Sequence, residues 1–300
     1  MPLARLTQQR LLFAFLCFVW GTNWLAMKVG VMVVPPGLFS GLRWTVAGIV
    51  LMAWRYYRGM PILIRRTLMP RVVVLAIILI PINTFIMLYG LRYVSSGLAS
   101  VLSSGLTPLG LLWFSVMMGQ EKFDRRQAYA IALGLGGMLL LYGPKLAQGR
   151  LGLPEMLGSL GIIIGNLAYC FGSVLSRPLM RMLSPALIAA QTNLIGGAVL
   201  LTLSLAFEPG VGPFVTGNWG LAAWLSWLFQ VVAGSLGATV IYFFLVRDWG
   251  ASRTGTYAFI SPVIAVAAGM LVLGETVDLV EAEGMLLMLG AAAVVLRRAG

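Results

Sequence analysis

The feature that most constrains this sequence is a series of long apolar segments that recurs along the whole chain. A helix that crosses a bilayer needs about 20 mainly apolar residues at a rise of about 1.5 Å each. Segments of this kind occur at Leu11–Val29, Leu38–Tyr57, Arg71–Leu91, Leu98–Met118, Gln127–Tyr142, Glu155–Ser176, Pro185–Ala206, Leu221–Val246, Ala251–Leu273 and Glu281–Leu296. We therefore predict an all-α membrane protein with ten transmembrane helices.

Composition supports the same class and leaves no room for a separate soluble domain. The chain is 60% hydrophobic and only 10% charged, whereas soluble domains carry about 25% charged residues. Residues 1–300 are accordingly interpreted as one transmembrane domain.

The basic residues predict the orientation. Sixteen lie at the termini or in every second connection, namely Arg5, Arg10, Arg55, Arg58, Arg65, Arg66, Arg71, Lys122, Arg125, Arg126, Arg177, Arg181, Arg247, Arg253, Arg297 and Arg298. The other side holds five, namely Lys28, Arg43, Arg92, Lys145 and Arg150. Because cytoplasmic loops are rich in Lys and Arg, both termini are predicted to be cytoplasmic. The net charge of +12 is then a topology signal, and no nucleic-acid partner is expected.

Several kinds of chemistry have no residues to support them. The chain has no histidine and two cysteines, and Cys17 and Cys170 both lie in apolar segments, so neither a metal site nor a disulfide framework is predicted. Gly134-x-Gly136-Gly137 is followed by no Gly-Lys-Ser/Thr, which excludes a nucleotide-binding loop of that type. We expect no cofactor and no enzymatic activity. A channel would usually show a charged ring or a filter loop, and the sequence has neither.

The two halves of the chain are related. With a shift of 154 residues, Thr107-Pro108 aligns with Ser261-Pro262, and Glu121 aligns with Glu275. With a shift of 149 residues, Trp20 aligns with Tyr169. Each half holds an odd number of predicted spans, so the second must be inverted relative to the first. We predict two inverted five-helix repeats, residues 1–148 and 149–300, around a central cavity, a plan common in secondary transporters.

Two prolines fall at matching places in the halves. Pro108 and Pro262 lie near the middle of the fourth and ninth segments. Each removes a backbone N–H and frees the carbonyl of the residue four positions earlier, which needs a partner or a polar cavity. We interpret both as hinges beside a transport site; simple packing kinks are the alternative.

The sequence resembles the EamA family of the drug/metabolite transporter superfamily over nearly its whole length. The resemblance rests on Trp20-Gly21-Thr22-Asn23-Trp24 leading to Lys28, on Pro36 followed by Arg43, and on Gly119-Gln120-Glu121 and Leu273-Gly274-Glu275. It implies a ten-helix fold with a central cavity. The chain is most similar to bacterial exporters of aromatic amino acids and related metabolites, which implies a multi-pass protein of the bacterial inner membrane.

Polar and aromatic residues deep in the segments are the candidates for contacts with a small-molecule substrate. Aromatic rings can stack on a flat solute, and Asn or Ser in hydrocarbon must face the protein interior. The candidates are Trp20, Asn23, Asn83, Tyr89, Ser103, Ser104, Asn166, Tyr169, Tyr242 and Tyr257. Ser100 and Thr107 belong to the same polar stripe as Ser103. Helix packing and interhelical hydrogen bonds are the alternative roles.

The charged residues bear on substrate and coupling. Lys28 and Arg43 lie near the outer ends of the first two segments, where either could attract a carboxylate. We expect Lys28 to reach the outer surface and Arg43, inside the second segment, to pair with helix-end carbonyls or Glu275. All nine acidic residues fall in loops or at segment ends, so no proton relay is evident. We predict a monomeric exporter of amino acids, aromatic ones favoured, that works by alternating access with facilitated or weakly coupled transport. A carrier of nucleotide sugars or phosphorylated sugars and a proton-coupled drug exporter are the alternatives.

Overall fold

The computed structural model describes residues 2–94, 96–147, 152–273 and 279–296. Within these residues the secondary structure is helical, with no strand, as predicted. Several residues named in the sequence analysis lie outside the described part of the chain, namely Arg150, Gly274, Glu275, Arg297 and Arg298. The side chain of Ser100 is also outside it.

Long helices follow one another along the described chain. They are α1 (Pro2–Val33), α2 (Pro36–Tyr57), α3 (Met69–Tyr93), α4 (Ser96–Met117), α5 (Arg125–Ala147), α6 (Leu153–Leu179), α7 (Pro185–Phe207), α8 (Leu221–Trp249), α9 (Tyr257–Leu273) and α10 (Leu279–Leu296). Short helices at Gly212–Val215 and Ala251–Thr254 lie in the connections. Both α2 and α7 begin with a proline, which suits the first position of a helix because its missing N–H would have no partner there.

Six helical segments of the described residues are long and apolar enough to cross a membrane. They are Thr7–Val33, Pro36–Tyr57, Met69–Tyr93, Met156–Leu179, Pro185–Phe207 and Leu221–Trp249. Shorter apolar helices occur at Leu102–Met117 and Ala282–Ala291. Large apolar side chains such as Leu11, Trp113 and Leu203 are exposed on the outside of these helices, as expected for surfaces that face lipid. The chain is a multi-pass membrane protein; the number of ten spans stays a prediction.

Two of the long helices widen in the middle. In α3 the section Ile78–Phe85 is π-helical and contains Pro81, and in α8 the section Gln230–Ala238 is π-helical. Such sections are uncommon and often occur at functional sites because they redirect side chains and free backbone groups. The two lie at equivalent places in the two halves, and both reach the same cavity.

The packing of the helices repeats when each helix is exchanged for the one five places along the chain. The pairs α2–α7 and α5–α10 make extensive contacts and map onto themselves. The pair α1–α9 corresponds to α6–α4, and the pair α1–α8 corresponds to α6–α3. This correspondence is a pseudo-twofold relation between the halves.

Glycine permits the closest of these contacts. A Cβ atom added to Gly48 on α2 would lie 2.4 Å from the backbone nitrogen of Leu194 on α7. A Cβ atom added to Gly197 on α7 would lie 2.4 Å from the backbone nitrogen of Thr45 on α2. Small residues at membrane helix interfaces let backbones approach closely. Gly48 and Gly197 are related by the 149-residue shift, so the two halves use the same device on both sides of the α2–α7 contact.

Candidate functional site

A central cavity lies between the two halves, and α1, α2, α3, α4, α6, α7, α8 and α9 all contribute to its wall. No lining residue comes from the described parts of α5 or α10. The cavity measures about 170 Å³. With roughly 10–15 Å³ needed for each water-sized group, this is space for a solute on the order of a dozen non-hydrogen atoms.

Nine of the ten predicted substrate residues line this cavity, namely Trp20, Asn23, Asn83, Ser103, Ser104, Asn166, Tyr169, Tyr242 and Tyr257. They come from α1, α3, α4, α6, α8 and α9, which are far apart in sequence. The geometry brings these residues to one place; their role as substrate contacts stays a prediction.

Four aromatic rings form a cluster at the cavity wall. The Trp20 ring centroid lies 4.4 Å from that of Tyr257 in an edge-on arrangement and 5.0 Å from that of Tyr242. Tyr169 completes the cluster at 6.2 Å from Trp20 and 5.7 Å from Tyr242, and the Tyr257 hydroxyl donates a hydrogen bond of 3.3 Å to that of Tyr169. The cluster offers ring faces and edges on which a flat apolar group could pack.

Asn166 organises the polar part of the wall. Its Oδ1 accepts hydrogen bonds from Ser103 Oγ at 3.1 Å and Thr107 Oγ at 3.0 Å. Its Nδ2 is buried and has no hydrogen-bond partner in the described part of the chain. Asn166 therefore holds α6 against α4 with one end of its amide, whereas the other end is a buried donor without a partner among the described residues.

The residues that precede the two prolines make equivalent contacts. Thr107, before Pro108 on α4, reaches Asn166 on α6. Ser261, before Pro262 on α9, donates from Oγ to the backbone carbonyl of Cys17 on α1 at 3.4 Å. Cys17 and Asn166 are related by the same 149-residue shift as Trp20 and Tyr169. Each proline thus lies inside a helix. The residue before it makes a hydrogen bond to the first helix of the other half.

Asn23 and Asn83 line the cavity without strong tertiary ties. Asn83 Nδ2 donates to the Leu79 carbonyl of its own helix at 3.2 Å. Asn23 Oδ1 is buried and has no partner among the described residues. Interhelical hydrogen bonds, the alternative role for these two asparagines, are not seen among the described residues.

Arg43 on α2 is a buried cation at the cavity wall. Its Nη1 donates to Gln230 Oε1 on the π-helical section of α8, and its guanidinium lies over the Trp44 ring, 4.2 Å from the centroid. The expected pairing with helix-end carbonyls is wrong, because these two side chains take their place. Glu275, the other expected partner, lies outside the described residues.

Tyr89 does not reach the cavity. Its hydroxyl donates to Glu208 Oε1 at 2.8 Å, and the backbone N–H groups of Gly37 and Leu38 donate to the same carboxylate at 3.0 and 3.1 Å. Glu208, at the end of α7, therefore caps the first turn of α2 and ties it to α3. Tyr89 is therefore not among the residues of the cavity wall, and its hydroxyl is bonded to Glu208.

Lys28 also has a structural partner. Its Nζ donates to the backbone carbonyls of Leu91 at 2.9 Å and Val94 at 3.3 Å. It therefore closes the end of α3 instead of extending freely to the outer surface as predicted.

Sequence reasoning missed several polar residues of the wall. Thr192 and Asn193 on α7 and Ser235 on α8 line the cavity, and Gln230 is fully buried beside it. All lie inside long apolar segments, where an uncharged polar side chain already indicates an inward-facing position. The signal was present in the sequence for Asn193 and Gln230 as clearly as for Asn83.

The cavity wall has no carboxylate among the residues that the structure describes. Within the same residues there is no group of three or more Cys, Asp or Glu side chains that could hold a metal ion. The site therefore consists of aromatic rings, neutral polar groups and one guanidinium.

Comparison with known proteins gives matches over nearly the whole chain. The model of the EamA-like transporter family matches residues 10–143 and again residues 156–297. The uncharacterized inner membrane transporter YedA of Escherichia coli K12 is 29% identical over 272 residues, covering 90% of this chain and 84% of that protein. The uncharacterized transporter YoaV of Bacillus subtilis is 25% identical over 270 residues, covering 90% of each chain.

A solved crystal structure has the same fold. It superposes with a TM-score of 0.79 at 21% identity and covers 98% of this chain and 99% of the other. At this level of identity the similarity concerns the fold alone.

Proposed function

Because the chain belongs to the EamA-like transporter family, we propose that it exports small metabolites from the cell, with aromatic amino acids as favoured substrates. The proposal concerns the substrate, the direction of transport across the membrane and the transport mechanism. Membership in a family of membrane transporters agrees with the expectation that the chain is not an enzyme.

In this proposal the chain crosses the bacterial inner membrane ten times, with both termini in the cytoplasm. Two inverted five-helix repeats, 1–148 and 149–300, exchange conformations to open the central cavity to each side in turn. The pseudo-twofold packing of the helices and the two separate family matches support it. Pro108 and Pro262 serve as hinges, since each interrupts a helix that lines the cavity.

The observation that carries the substrate proposal is the aromatic cluster of Trp20, Tyr169, Tyr242 and Tyr257 at the cavity wall. Rings about 4.5–7 Å apart in edge-on or tilted arrangements are mutually favourable, so a substrate ring can join them without rebuilding the wall. Asn23, Asn83, Ser103, Ser104 and Asn166 supply polar contacts around it.

The alternatives fit this cavity less well. A nucleotide sugar carries two or more negative charges that require several buried cations. Arg43 is the one Lys or Arg residue among the described residues of the wall. A proton-coupled exporter needs a titrating group near the substrate, and no carboxylate lines the described wall, so we retain facilitated or weakly coupled transport.

The test is uptake by the purified protein in liposomes, with radiolabelled aromatic and aliphatic amino acids, nucleosides and sugar phosphates and no ion gradient. We expect saturable flux of aromatic amino acids that falls several-fold in Trp20→Ala and Tyr169→Ala. Trp113→Ala is the matched control, because this tryptophan is 66% exposed on the outside of α4, and its flux should match that of the wild type.

Two outcomes would contradict parts of the proposal separately. Flux of phosphorylated sugars alone would overturn the substrate class and leave the transporter assignment intact. Flux that appears only when a proton gradient is imposed would overturn the facilitated mechanism.

A further inference from the structure

We propose that Arg43 binds the carboxylate of the transported solute, so that the cavity selects compounds with one carboxylate and one flat apolar group. This inference rests on the proposed function and specifies its substrate class. It follows from the charge balance of the cavity and not from the aromatic cluster alone.

Arg43 is buried inside the membrane-embedded part of the molecule, with 5% of its surface exposed. Its contacts among the described residues are the neutral Gln230 and the ring of Trp44. Its Nε is buried and has no hydrogen-bond partner in that part of the chain. No ion pair between Arg43 and a carboxylate of a described residue is seen, whereas Arg177 pairs with Glu121 and Arg247 with Asp248.

A charge in this position is costly unless an opposite charge compensates it. Gln230 offers only the partial charge of an amide oxygen, and its Nε2 has no partner among the described residues. The wall of the cavity supplies no carboxylate from these residues. In this inference the solute supplies the counter-charge, since a guanidinium fork matches the two oxygens of a carboxylate.

Arg55, the other buried arginine of α2, shows how this helix satisfies a guanidinium that has a structural role. Its Nε donates to the Pro61 carbonyl at 3.0 Å, and its Nη1 donates to Ser184 Oγ at 3.1 Å. Its Nη2 donates to the Pro61 carbonyl at 2.6 Å. All three nitrogens of Arg55 have oxygen acceptors, whereas the Nε of Arg43, a residue of the cavity wall, has none among the described residues. The contrast indicates that Arg43 is held for a ligand.

The single cation and the small volume of the cavity indicate the charge and the size of the ligand. A single guanidinium balances a single negative charge, and Trp20, Tyr242 and Arg43 face the same space of about 170 Å³. A solute with its carboxylate on Arg43 can therefore place a ring against the aromatic cluster. Gln230 lies on the π-helical section of α8. When the carboxylate binds, Arg43 either keeps its hydrogen bond to Gln230 or exchanges it for one to the carboxylate.

The experiment compares four compounds that share one phenyl ring: phenylalanine, 3-phenylpropionate, phenylalaninamide and phenethylamine. Each competes with labelled phenylalanine for uptake by the purified protein in liposomes. We expect the two carboxylates to compete and the two cations to be weaker by roughly ten- to hundredfold, the worth of a charge-assisted hydrogen bond. In Arg43→Gln this preference should disappear, whereas Arg43→Lys should retain part of it.

Thermal unfolding without substrate separates a binding role from a structural one. Arg43→Gln should unfold at the same or a higher temperature than the wild type because it removes an uncompensated buried charge. Arg55→Gln, the matched control, should unfold at a lower temperature and keep the carboxylate preference. A lower unfolding temperature of Arg43→Gln with unchanged preference would overturn the inference.

Failure of this inference can be told apart from failure of the proposed function. Flux of ring compounds with no preference for the carboxylate would overturn the role of Arg43 and leave the proposed function standing. Absence of flux for every compound of both panels would overturn the proposed function and this inference together.

Discussion

At the scale of single residues, the cavity wall contains polar atoms that the protein itself satisfies beside others that it leaves without partners. Asn166 shows both kinds, since its Oδ1 accepts two hydrogen bonds and its buried Nδ2 donates to no acceptor among the described residues. A buried donor of this kind costs about 1–3 kcal/mol when unpaired. Retaining it is reasonable where a solute supplies the acceptor.

The first prediction compares two asparagines of the wall. Asn166→Ala should lower the free energy of unfolding by about 1–3 kcal/mol, because Ser103 and Thr107 lose their shared acceptor. Asn83→Ala should cost less than about 1 kcal/mol, because the side-chain hydrogen bond that Asn83 makes among the described residues lies within its own helix. Thermal unfolding of both variants in detergent measures the difference. Equal destabilisation would contradict the assigned role of Asn166 as a tie between α4 and α6.

At the scale of helices, the contact between α2 and α7 is extensive among the described residues, and it depends on glycines that have no side chain. Gly48→Val and Gly197→Val should each destabilise the protein, because the new Cβ atom would meet backbone at 2.4 Å and neither helix can move without the other. Gly136→Ala on α5 is the control, since nothing lies within 4 Å of its added Cβ atom. It should be neutral or stabilising by up to about 1 kcal/mol. Detergent-solubilised yield and unfolding temperature report the result.

A second helix-scale prediction concerns the cap that Glu208 provides for α2. A carboxylate at a helix N-terminus satisfies free N–H groups and interacts favourably with the helix dipole. Glu208→Gln should lower the free energy of unfolding by about 1–2 kcal/mol, because the amide retains fewer acceptor sites for Gly37, Leu38 and Tyr89. Tyr89→Phe removes one of these bonds and should cost about 1 kcal/mol.

The measurement for this cap is the unfolding temperature of each single variant and of the double variant. Because Tyr89 acts through the same carboxylate, the two effects should not add. Full additivity would show that Tyr89 and Glu208 stabilise the protein independently.

Sequence reasoning predicted helices better than it predicted side-chain partners. Long apolar segments and turn residues locate α2 or α7 because both signals are local. The π-helical section at Ile78–Phe85 was missed because it depends on Pro81 together with the packing of α3 on α6 and α7. Tyr89 was assigned to the cavity because depth in a segment says nothing about direction around the helix axis. The partners of Arg43 and Glu208 come from other helices, nearly 200 residues away in the case of Arg43, which a single sequence does not reveal.

At the scale of the whole molecule, the pseudo-twofold relation exchanges the two ends of the α2–α7 pair. The side-chain contacts at these two ends are nevertheless different. Glu208 caps α2 at the end near Pro36. At the other end Ser184 Oγ accepts from the Leu187 N–H of α7 and from Arg55. In the predicted topology the first contact lies on the periplasmic side and the second on the cytoplasmic side. The orientation of the chain therefore decides on which side of the membrane each of these contacts lies.

The last prediction tests that orientation. Cys17 and Cys170 are buried and are replaced by Ala to give a cysteine-free background, in which either Arg58→Cys or Thr216→Cys is introduced. Both positions are exposed, one between α2 and α3 and the other between α7 and α8. Since the excess of Lys and Arg places the α2–α3 connection in the cytoplasm, a membrane-impermeant maleimide added to intact cells should label Thr216→Cys and leave Arg58→Cys unlabelled. After permeabilisation both should react. The reverse pattern in intact cells would place the termini outside, and labelling of both would mean that these connections lie on the same side and that the two halves are not inverted.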